Sequence, residues 1–159
     1  YKNMIFRLAM SYLKNTQEAE DVMQNVFIKF YINKKVFQTV EDEKAWLIRV
    51  TINASKDVLK SSWFKRTVPI SDDIPFENKE ESDLFYAVHR LEPKYRAVIH
   101  LYYYENYSIK EISKILSIKE TTIQTRLQRA RKKLEKILEE EYRDYYSKKL
   151  KEGSYEAGI

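Results

Sequence analysis

The chain has 159 residues, a net charge of +5 and no cysteine, which excludes disulfides and thiolate metal sites. No apolar run reaches the roughly 18 residues that a membrane span needs, and no signal-peptide pattern opens the sequence. We therefore expect a soluble, cytoplasmic protein with no direct membrane insertion. Two glycines, three prolines and apolar residues at helical spacing predict an all-α fold, and the positive charge favours a polyanionic partner.

Two amphipathic helices open the sequence. Apolar residues at helical spacing run from Ile5 to Leu13, and Asn15 or Thr16 then supplies an N-cap for a second helix. One side of this second helix faces away from the predicted core and carries acidic and amide groups. This side is either ordinary solvated surface or a binding surface. The residues on this side are Asp21, Gln24, Asn25 and Ile28.

A basic loop over residues 32–42 carries one large aromatic residue, Phe37. A third helix follows from Glu43 to Lys60. An aromatic ring beside cationic and amide groups suits single-stranded nucleic acid, because unstacked bases need a π-face and phosphates need cations. The alternative is that Phe37 lies in the core, where we also expect Trp46. The candidate strand-binding residues are Lys34, Lys35, Phe37, Arg49, Asn53, Lys56 and Lys60.

Residues 61–82 differ in composition from their neighbours. They contain Pro69 and Pro75, and acidic residues dominate between Ser71 and Phe85. A polar, acidic stretch punctuated by proline is typical of a linker. Its charge is opposite to that of the flanking segments, so it either lies on a basic surface or channel, or serves as a plain tether.

A helical run over residues 85–102 follows, and Pro93 divides it into two helices because proline favours the first turn of a helix. His89 and His100 lie in this run. No His, Cys or carboxylate accompanies them at ligand spacing. We therefore expect ordinary helix residues here, no metal site and no cofactor.

Residues 108–134 predict two helices separated by a tight break. Ser108 and Glu111 form an S-x-x-E capping box, and a second apolar stripe runs from Ile123 to Leu134. Nine Lys or Arg against three Asp or Glu between residues 108 and 138 favour a helix-turn-helix whose second helix enters the DNA major groove. The alternative is a helical hairpin with a solvated charged face.

The sequence as a whole shows no catalytic pattern. There is no Gly-rich phosphate loop, no G-x-S-x-G, no H-E-x-x-H and no cysteine, so we do not expect an enzyme. The charged tail beyond Leu138 is expected to become loop-like at residues 151–153.

Three segments together resemble the bacterial sigma factors of the extracytoplasmic-function (ECF) group. They are EAEDVMQNVF at residues 18–27, AWLIRVTIN at residues 45–53 with Asp57, and TIQTRLQRARKKL at residues 122–134. The resemblance implies two small helical domains joined by an acidic flexible linker. Residues 1–62 would form the region 2-like domain, 63–83 the linker, 84–138 the region 4-like domain and 139–159 a charged tail.

The resemblance also implies the partners and their residues. Core RNA polymerase would bind Asp21, Gln24, Asn25 and Ile28. The single strand of the −10 promoter element would bind Lys34, Lys35, Phe37, Arg49, Asn53, Lys56 and Lys60. The −35 element would bind Thr122, Gln124, Thr125, Arg126, Gln128, Arg129 and Lys132. Family members are commonly held inactive by an anti-sigma factor, so the resemblance implies this partner as well.

Two other functions fit part of the sequence. A stand-alone helix-turn-helix regulator would bind duplex DNA without polymerase, although it gives the basic loop around Phe37 no role. A protein-interacting adaptor with incidental basic charge would associate with DNA without the salt dependence of phosphate contacts.

Overall fold

The computed structural model describes residues 1–61 and 79–156, with the side chains of residues 79–82, Tyr146 and 149–156 left aside. Within these residues every regular element is helical, so the all-α prediction is confirmed. The helix α5 continues into a π-helical turn, His100–Tyr104. The helices are α1 (Lys2–Leu13), α2 (Thr16–Ile32), α3 (Val40–Ser61), α4 (Lys79–His89), α5 (Pro93–Ile99), α6 (Ile109–Leu116) and α7 (Glu120–Glu156).

Side-chain caps set the starts of α2 and α3. Asn15 Oδ1 accepts a hydrogen bond from the backbone N–H of Glu18 at 3.1 Å, which confirms Asn15 as the N-cap of α2. Helix α3 begins at Val40 rather than at the predicted Glu43. Thr39 Oγ1 accepts from the Asp42 N–H at 3.0 Å, and the acidic first turn suits the positive end of the helix dipole. The predicted loop is therefore shorter than residues 32–42.

The helix-turn-helix forms as the sequence predicts. Ser108 Oγ accepts from the Glu111 N–H at 3.3 Å, while Glu111 Oε2 accepts from the Ser108 N–H at 2.8 Å, which completes the capping box of α6. Ser117 ends α6 in the left-handed conformation (φ 55°), and α7 starts three residues later. The predicted break at Pro93 is also confirmed, because α5 begins there.

Helix α7 extends far beyond the helix-turn-helix. It continues to Glu156, so the expectation of a loop at residues 151–153 was wrong. A single interior glycine costs a helix about 1 kcal/mol relative to alanine, which the many Glu, Lys, Leu and Arg residues around Gly153 outweigh. Glu141 also links this extension to Arg90, the residue that follows α4, since its Oε1 lies 3.1 Å from Arg90 Nη1.

The predicted linker falls largely outside the described residues, and only its last part, from Lys79 onward, belongs to α4. Within the described ranges, no helix has both the length and the apolar character to cross a bilayer.

Helix α1 lies at the centre of the molecule. It packs against α2 and α3 on one side and against α4 and α5 on the other. Helices α5, α6 and α7 pack together and complete the helix-turn-helix half. The two halves therefore share one continuous core. Its largest fully buried side chains are Tyr12, Ile5, Leu8, Leu47, Ile48, Leu101, Ile112, Ile123, Leu127, Val22, Val26 and Val98.

The capping box gives a test of the local fold. We expect Ser108→Ala to lower the free energy of unfolding by about 1 kcal/mol, because an N–H at the start of α6 loses its side-chain acceptor. Urea denaturation followed by circular dichroism measures this change. The control is Ser147→Ala, an exposed serine within α7. Equal loss of stability in both variants would contradict a capping role for Ser108.

Candidate nucleic-acid interface

The first turns of α7 present a polar face to solvent. Ile123, Leu127 and Ala130 are buried against the rest of the bundle. The predicted −35 residues lie on the other sides of the helix. Gln124, Thr125, Gln128, Arg129 and Lys132 are exposed, whereas Thr122 and Arg126 are half-buried. Five side chains are thus free to enter a groove.

Arg126 differs from its neighbours because it faces the N-terminal half. It lines a cavity of about 410 Å³ together with Tyr12 of α1 and Lys56 of α3. Burial raises the pKa of Tyr12, and the positive charges of Arg96 and Arg126 oppose that rise. One predicted −35 residue and one predicted −10 residue therefore share the wall of one cavity.

The predicted −10 residues of α3 form one line along the helix. Arg49, Asn53, Lys56 and Lys60 are spaced three or four residues apart, so they lie on the same face. Arg49 is half-buried, and the other three are exposed. The geometry gives a basic and amide strip about three turns long.

Phe37 belongs to an aromatic cluster at the start of this strip. Its ring centroid lies 6.3 Å from that of Phe30 and 5.8 Å from that of Trp46. Phe37 and Trp46 are both half-buried. Trp46 packs against the core, whereas Phe37 packs on the rings of Phe30 and Trp46. Lys35, Phe37 and Arg49 line a second cavity, of about 520 Å³, whereas Lys34 is simply exposed.

The predicted polymerase-binding residues of α2 are all exposed. Asp21, Gln24, Asn25 and Ile28 point away from the buried Val22 and Val26, and Ile28 is 55% exposed. The sequence interpretation missed two further residues on this side. Tyr31 is 90% exposed and Ile32 is 68% exposed. Their spacing of three and four residues from Ile28 was the available signal.

Two polar residues join the two halves of the chain: His89, which the sequence predicts to be an ordinary helix residue, and Arg96, which the sequence interpretation did not single out. Arg96 Nη2 donates to the carbonyl oxygen of Tyr12, and Nη1 donates to that of His89, both at 3.1 Å. His89 Nε2 lies 2.7 Å from the carbonyl oxygen of Met10. Burial lowers the pKa of Arg96 to about 10, so its guanidinium stays charged at neutral pH, and burial also lowers the pKa of His89.

Glu105, a buried acidic residue, lies at the contact between the two halves of the chain, toward the other end of α1. Glu105 Oε1 lies 3.5 Å from His100 Nε2, and both side chains are at most 10% exposed. The nearby His100 ring, with Lys44 and Arg7 of the N-terminal half, holds the pKa of Glu105 below its usual range. In the described parts of the chain, no three His, Cys, Asp or Glu side chains gather into a metal-binding group.

Comparison with known proteins places these surfaces in a family. Residues 1–65 match the family described as Sigma-70 region 2, and residues 83–134 match Sigma-70, region 4. SigM, an ECF RNA polymerase sigma factor of Bacillus subtilis (strain 168), is 31% identical over 153 residues, which cover 86% of this chain and 90% of SigM. The chain belongs to the ECF sigma factors.

A second relative agrees with this membership, and a solved structure shows the same fold. The sigma factor SigV of Bacillus subtilis (strain 168) is 29% identical over 140 residues, covering 83% of this chain and 82% of SigV. The sigma factor RpoE of Bartonella quintana, solved in complex with the anti-sigma factor NepR, matches the fold with a TM-score of 0.73 at 22% identity. That match covers 87% of this chain and 91% of RpoE.

Family membership decides between the functions that the sequence left open. An ECF sigma factor directs RNA polymerase to promoters in transcription initiation, and this is the function of the chain. Regions 2 and 4 occur in order in one polypeptide, so a stand-alone helix-turn-helix regulator is not favoured. Sigma factors as a family are not catalysts.

The buried Glu105 allows the electrostatics of the contact between the two halves of the chain to be tested. Its pKa is depressed in the folded chain, so its contribution to stability is present above the ordinary carboxyl range and is lost as pH falls through and below that range. We expect Glu105→Gln to be less stable than the wild type at neutral pH and to lose less stability between neutral and acidic pH. Thermal unfolding at a series of pH values measures both effects.

The matched control for this experiment is Glu20→Gln, which replaces an exposed carboxylate of α2. A Glu105→Gln profile parallel to that of the wild type and of the control would contradict the assignment.

Proposed function

We propose that the two halves of this sigma factor divide the work of promoter recognition. Residues 1–62 bind core RNA polymerase and the opened −10 strand, and residues 84–138 bind the −35 duplex. The observation that carries this division is the exposed face of α2. Ile28 is 55% exposed on a helix whose other apolar stripe is buried, and an exposed branched apolar residue among polar neighbours suits a protein interface.

The polymerase-binding surface in this proposal comprises Asp21, Gln24, Asn25 and Ile28, continued by Tyr31 and Ile32. Tyrosine and isoleucine supply apolar area at the centre of such a surface, while the carboxylate and amides supply hydrogen bonds around it. All six side chains are exposed, so the surface needs no rearrangement before it meets a partner.

The −35 duplex binds to α7. Gln and Arg side chains at the start of this helix reach base edges, since glutamine pairs well with adenine and arginine with guanine. Lys132, one turn further along, suits a phosphate. Gln124, Gln128 and Arg129 are all exposed, as contact with base edges requires.

The −10 strand follows the strip on α3. Asn53, Lys56 and Lys60 contact the strand, while Lys34 and Lys35 lie beside its phosphates. Phe37 and Arg49 line the adjoining cavity of about 520 Å³, which offers an unstacked base an aromatic wall and a cation. Each captured base contributes about 1–3 kcal/mol, which offsets part of the cost of opening the duplex.

The remaining features of the proposal follow from this role. The chain performs no chemistry and needs no cofactor, because promoter opening is driven by binding. It acts in the cytoplasm, where RNA polymerase is found. The complex of RpoE with NepR supports an anti-sigma factor as a further partner of this chain.

Paired variants test the division of labour. We expect Arg129→Ala to weaken promoter binding by about 1–3 kcal/mol, or roughly 5- to 150-fold, and to leave association with core polymerase unchanged. The double variant Asp21→Ala with Gln24→Ala should do the reverse. Fluorescence anisotropy with promoter DNA and a pull-down with core polymerase give the two readouts.

The control for Arg129 is Lys136→Ala, an exposed basic residue two turns further along α7. If the Arg129 variant and the α2 variant lost the same binding to the same extent, the division between the two halves would be wrong.

A further inference from the structure

Arg131 of α7 is held by two aromatic side chains from the π-helical turn that precedes α6. Its Nε donates a hydrogen bond to the Tyr103 hydroxyl at 2.6 Å. The guanidinium carbon lies 5.8 Å from the ring centroid of Tyr102 and 5.7 Å from that of Tyr103, within the range of a cation–π contact. The two rings meet edge to face, with their centroids 5.0 Å apart. Arg131 is therefore restrained in direction although it is exposed.

These contacts use only part of the guanidinium. An arginine has five N–H donors, and the hydrogen bond to Tyr103 occupies the one on Nε. The donors on Nη1 and Nη2 are left for another acceptor. Within the described residues, no carboxylate lies at ion-pair distance from Arg131, whereas Nζ of the nearby Lys133 lies 3.6 Å from a carboxylate oxygen of Glu92. An acceptor from outside the protein can therefore bind Arg131 without displacing a salt bridge.

The place of Arg131 on α7 relates it to the proposed −35 surface. Residues 124, 128 and 131 are four and three positions apart, so Gln124, Gln128 and Arg131 lie along one face of the helix. All three side chains are exposed. The sequence interpretation of the −35 surface included neither Arg131 nor Tyr103. The structure thus extends the predicted reading face by one turn.

The dimensions of DNA place a phosphate, rather than a base, beside Arg131. A recognition helix contacts base edges with its N-terminal residues. The major groove is about 12 Å wide and a helix with its side chains is about 10–12 Å across, so the helix passes between the two phosphate backbones. Arg131 lies about 10 Å further along α7 than Gln124, at 1.5 Å per residue. A base contact by Gln124 therefore brings Arg131 to the backbone at the edge of the groove.

We propose that Arg131 binds a backbone phosphate of the −35 duplex and that Tyr103 is its positioning residue. The Nη groups of Arg131 donate to the phosphate oxygens, because paired guanidinium N–H groups match their geometry. The Tyr103 hydroxyl accepts from Nε, and its own hydrogen is free to donate to the same phosphate. Since the two rings already restrain the arginine, less conformational entropy is lost on binding. The proposal rests on the proposed binding of the −35 duplex to α7.

The test compares three variants of the full-length chain. Arg131→Gln removes the positive charge, and Tyr103→Phe removes only the hydroxyl that orients it. Lys133→Gln is the matched control, because it removes the same charge from the side of α7 that faces Glu92. Fluorescence anisotropy measures binding at a series of salt concentrations to two mixed-sequence duplexes of about 30 base pairs, unrelated to each other.

A phosphate contact has two signatures. Each neutralised phosphate contributes about 0.9 to the slope of log K against log salt concentration, so Arg131→Gln should lower the slope by about 1. It should also weaken binding about ten-fold at low salt, because a hydrogen bond to a charged group is lost. The loss should be equal on both duplexes, since phosphates carry no sequence information. Lys133→Gln should keep the wild-type slope.

Tyr103→Phe separates positioning from charge. This variant keeps the charge of Arg131, so the salt slope should stay at the wild-type value. Its affinity for both duplexes should fall roughly 2- to 12-fold, because DNA binding must then order the arginine side chain. A Tyr103→Phe variant with lower thermal stability but unchanged DNA affinity would show a purely structural hydroxyl and overturn the positioning role.

Circular dichroism establishes that each variant is folded, and if Arg131→Gln loses helix content, the affinity of Tyr103→Phe decides the question. A salt slope of Arg131→Gln equal to that of Lys133→Gln, or unequal losses on the two duplexes, would overturn the phosphate contact and leave the proposed function of α7 intact. Absence of any DNA binding by the wild type at low salt would overturn that proposed function together with the phosphate contact.

Discussion

Helix α1 holds the two halves of the chain together, because both halves bury apolar side chains against it. Its predicted apolar stripe, Ile5, Leu8, Ala9, Tyr12 and Leu13, is entirely buried, as expected for an amphipathic helix. The structure also buries Met4, Met10 and Ser11, which lie outside that stripe. Helices α2, α3, α4 and α5 all pack on α1, and the carbonyl oxygens of Tyr12 and Met10 near its end contact Arg96 and His89.

This shared core explains how the surfaces of the molecule are arranged. Because α1 occupies the inner faces of both halves, most of the predicted interface residues are left on outer faces: Ile28 and its neighbours on α2, Lys60 on α3, and Arg129 on α7. Lys56 and Arg126 differ from these, since both line the cavity of about 410 Å³ between the two halves.

Local patterns in the sequence were sufficient for the helices and for the helix-turn-helix. The capping box at Ser108, the N-cap at Asn15 and the proline at residue 93 each fix a helix start by a short-range rule, and the structure shows all three. Thr39 follows the same rule, and its side-chain cap starts α3 three residues before the predicted Glu43. The predicted loop in the tail is wrong because the summed helix propensity around Gly153 outweighs the cost of one glycine.

Such short-range rules do not predict how distant segments pack together. Nothing local distinguishes the buried Arg96 from a solvated arginine, although its place in the apolar run from Tyr95 to Ile99 is the signal that could have raised the question. The position of Phe37 also depends on packing, since Phe30 and Trp46 come from two different helices. The roles of the α2, α3 and α7 surfaces came from the family resemblance, because exposed polar residues alone do not name their partner.

Transcription in vitro requires polymerase binding and both DNA contacts in one assay. Core RNA polymerase of the same bacterium transcribes fragmented genomic DNA with and without the full-length chain, and the 5′ ends of the transcripts are sequenced. A promoter-directing sigma factor gives transcripts that depend on the chain and whose start sites share sequence elements near −35 and −10. Absence of any chain-dependent transcript, together with no binding of the chain to core polymerase, would show that the chain does not direct polymerase to promoters.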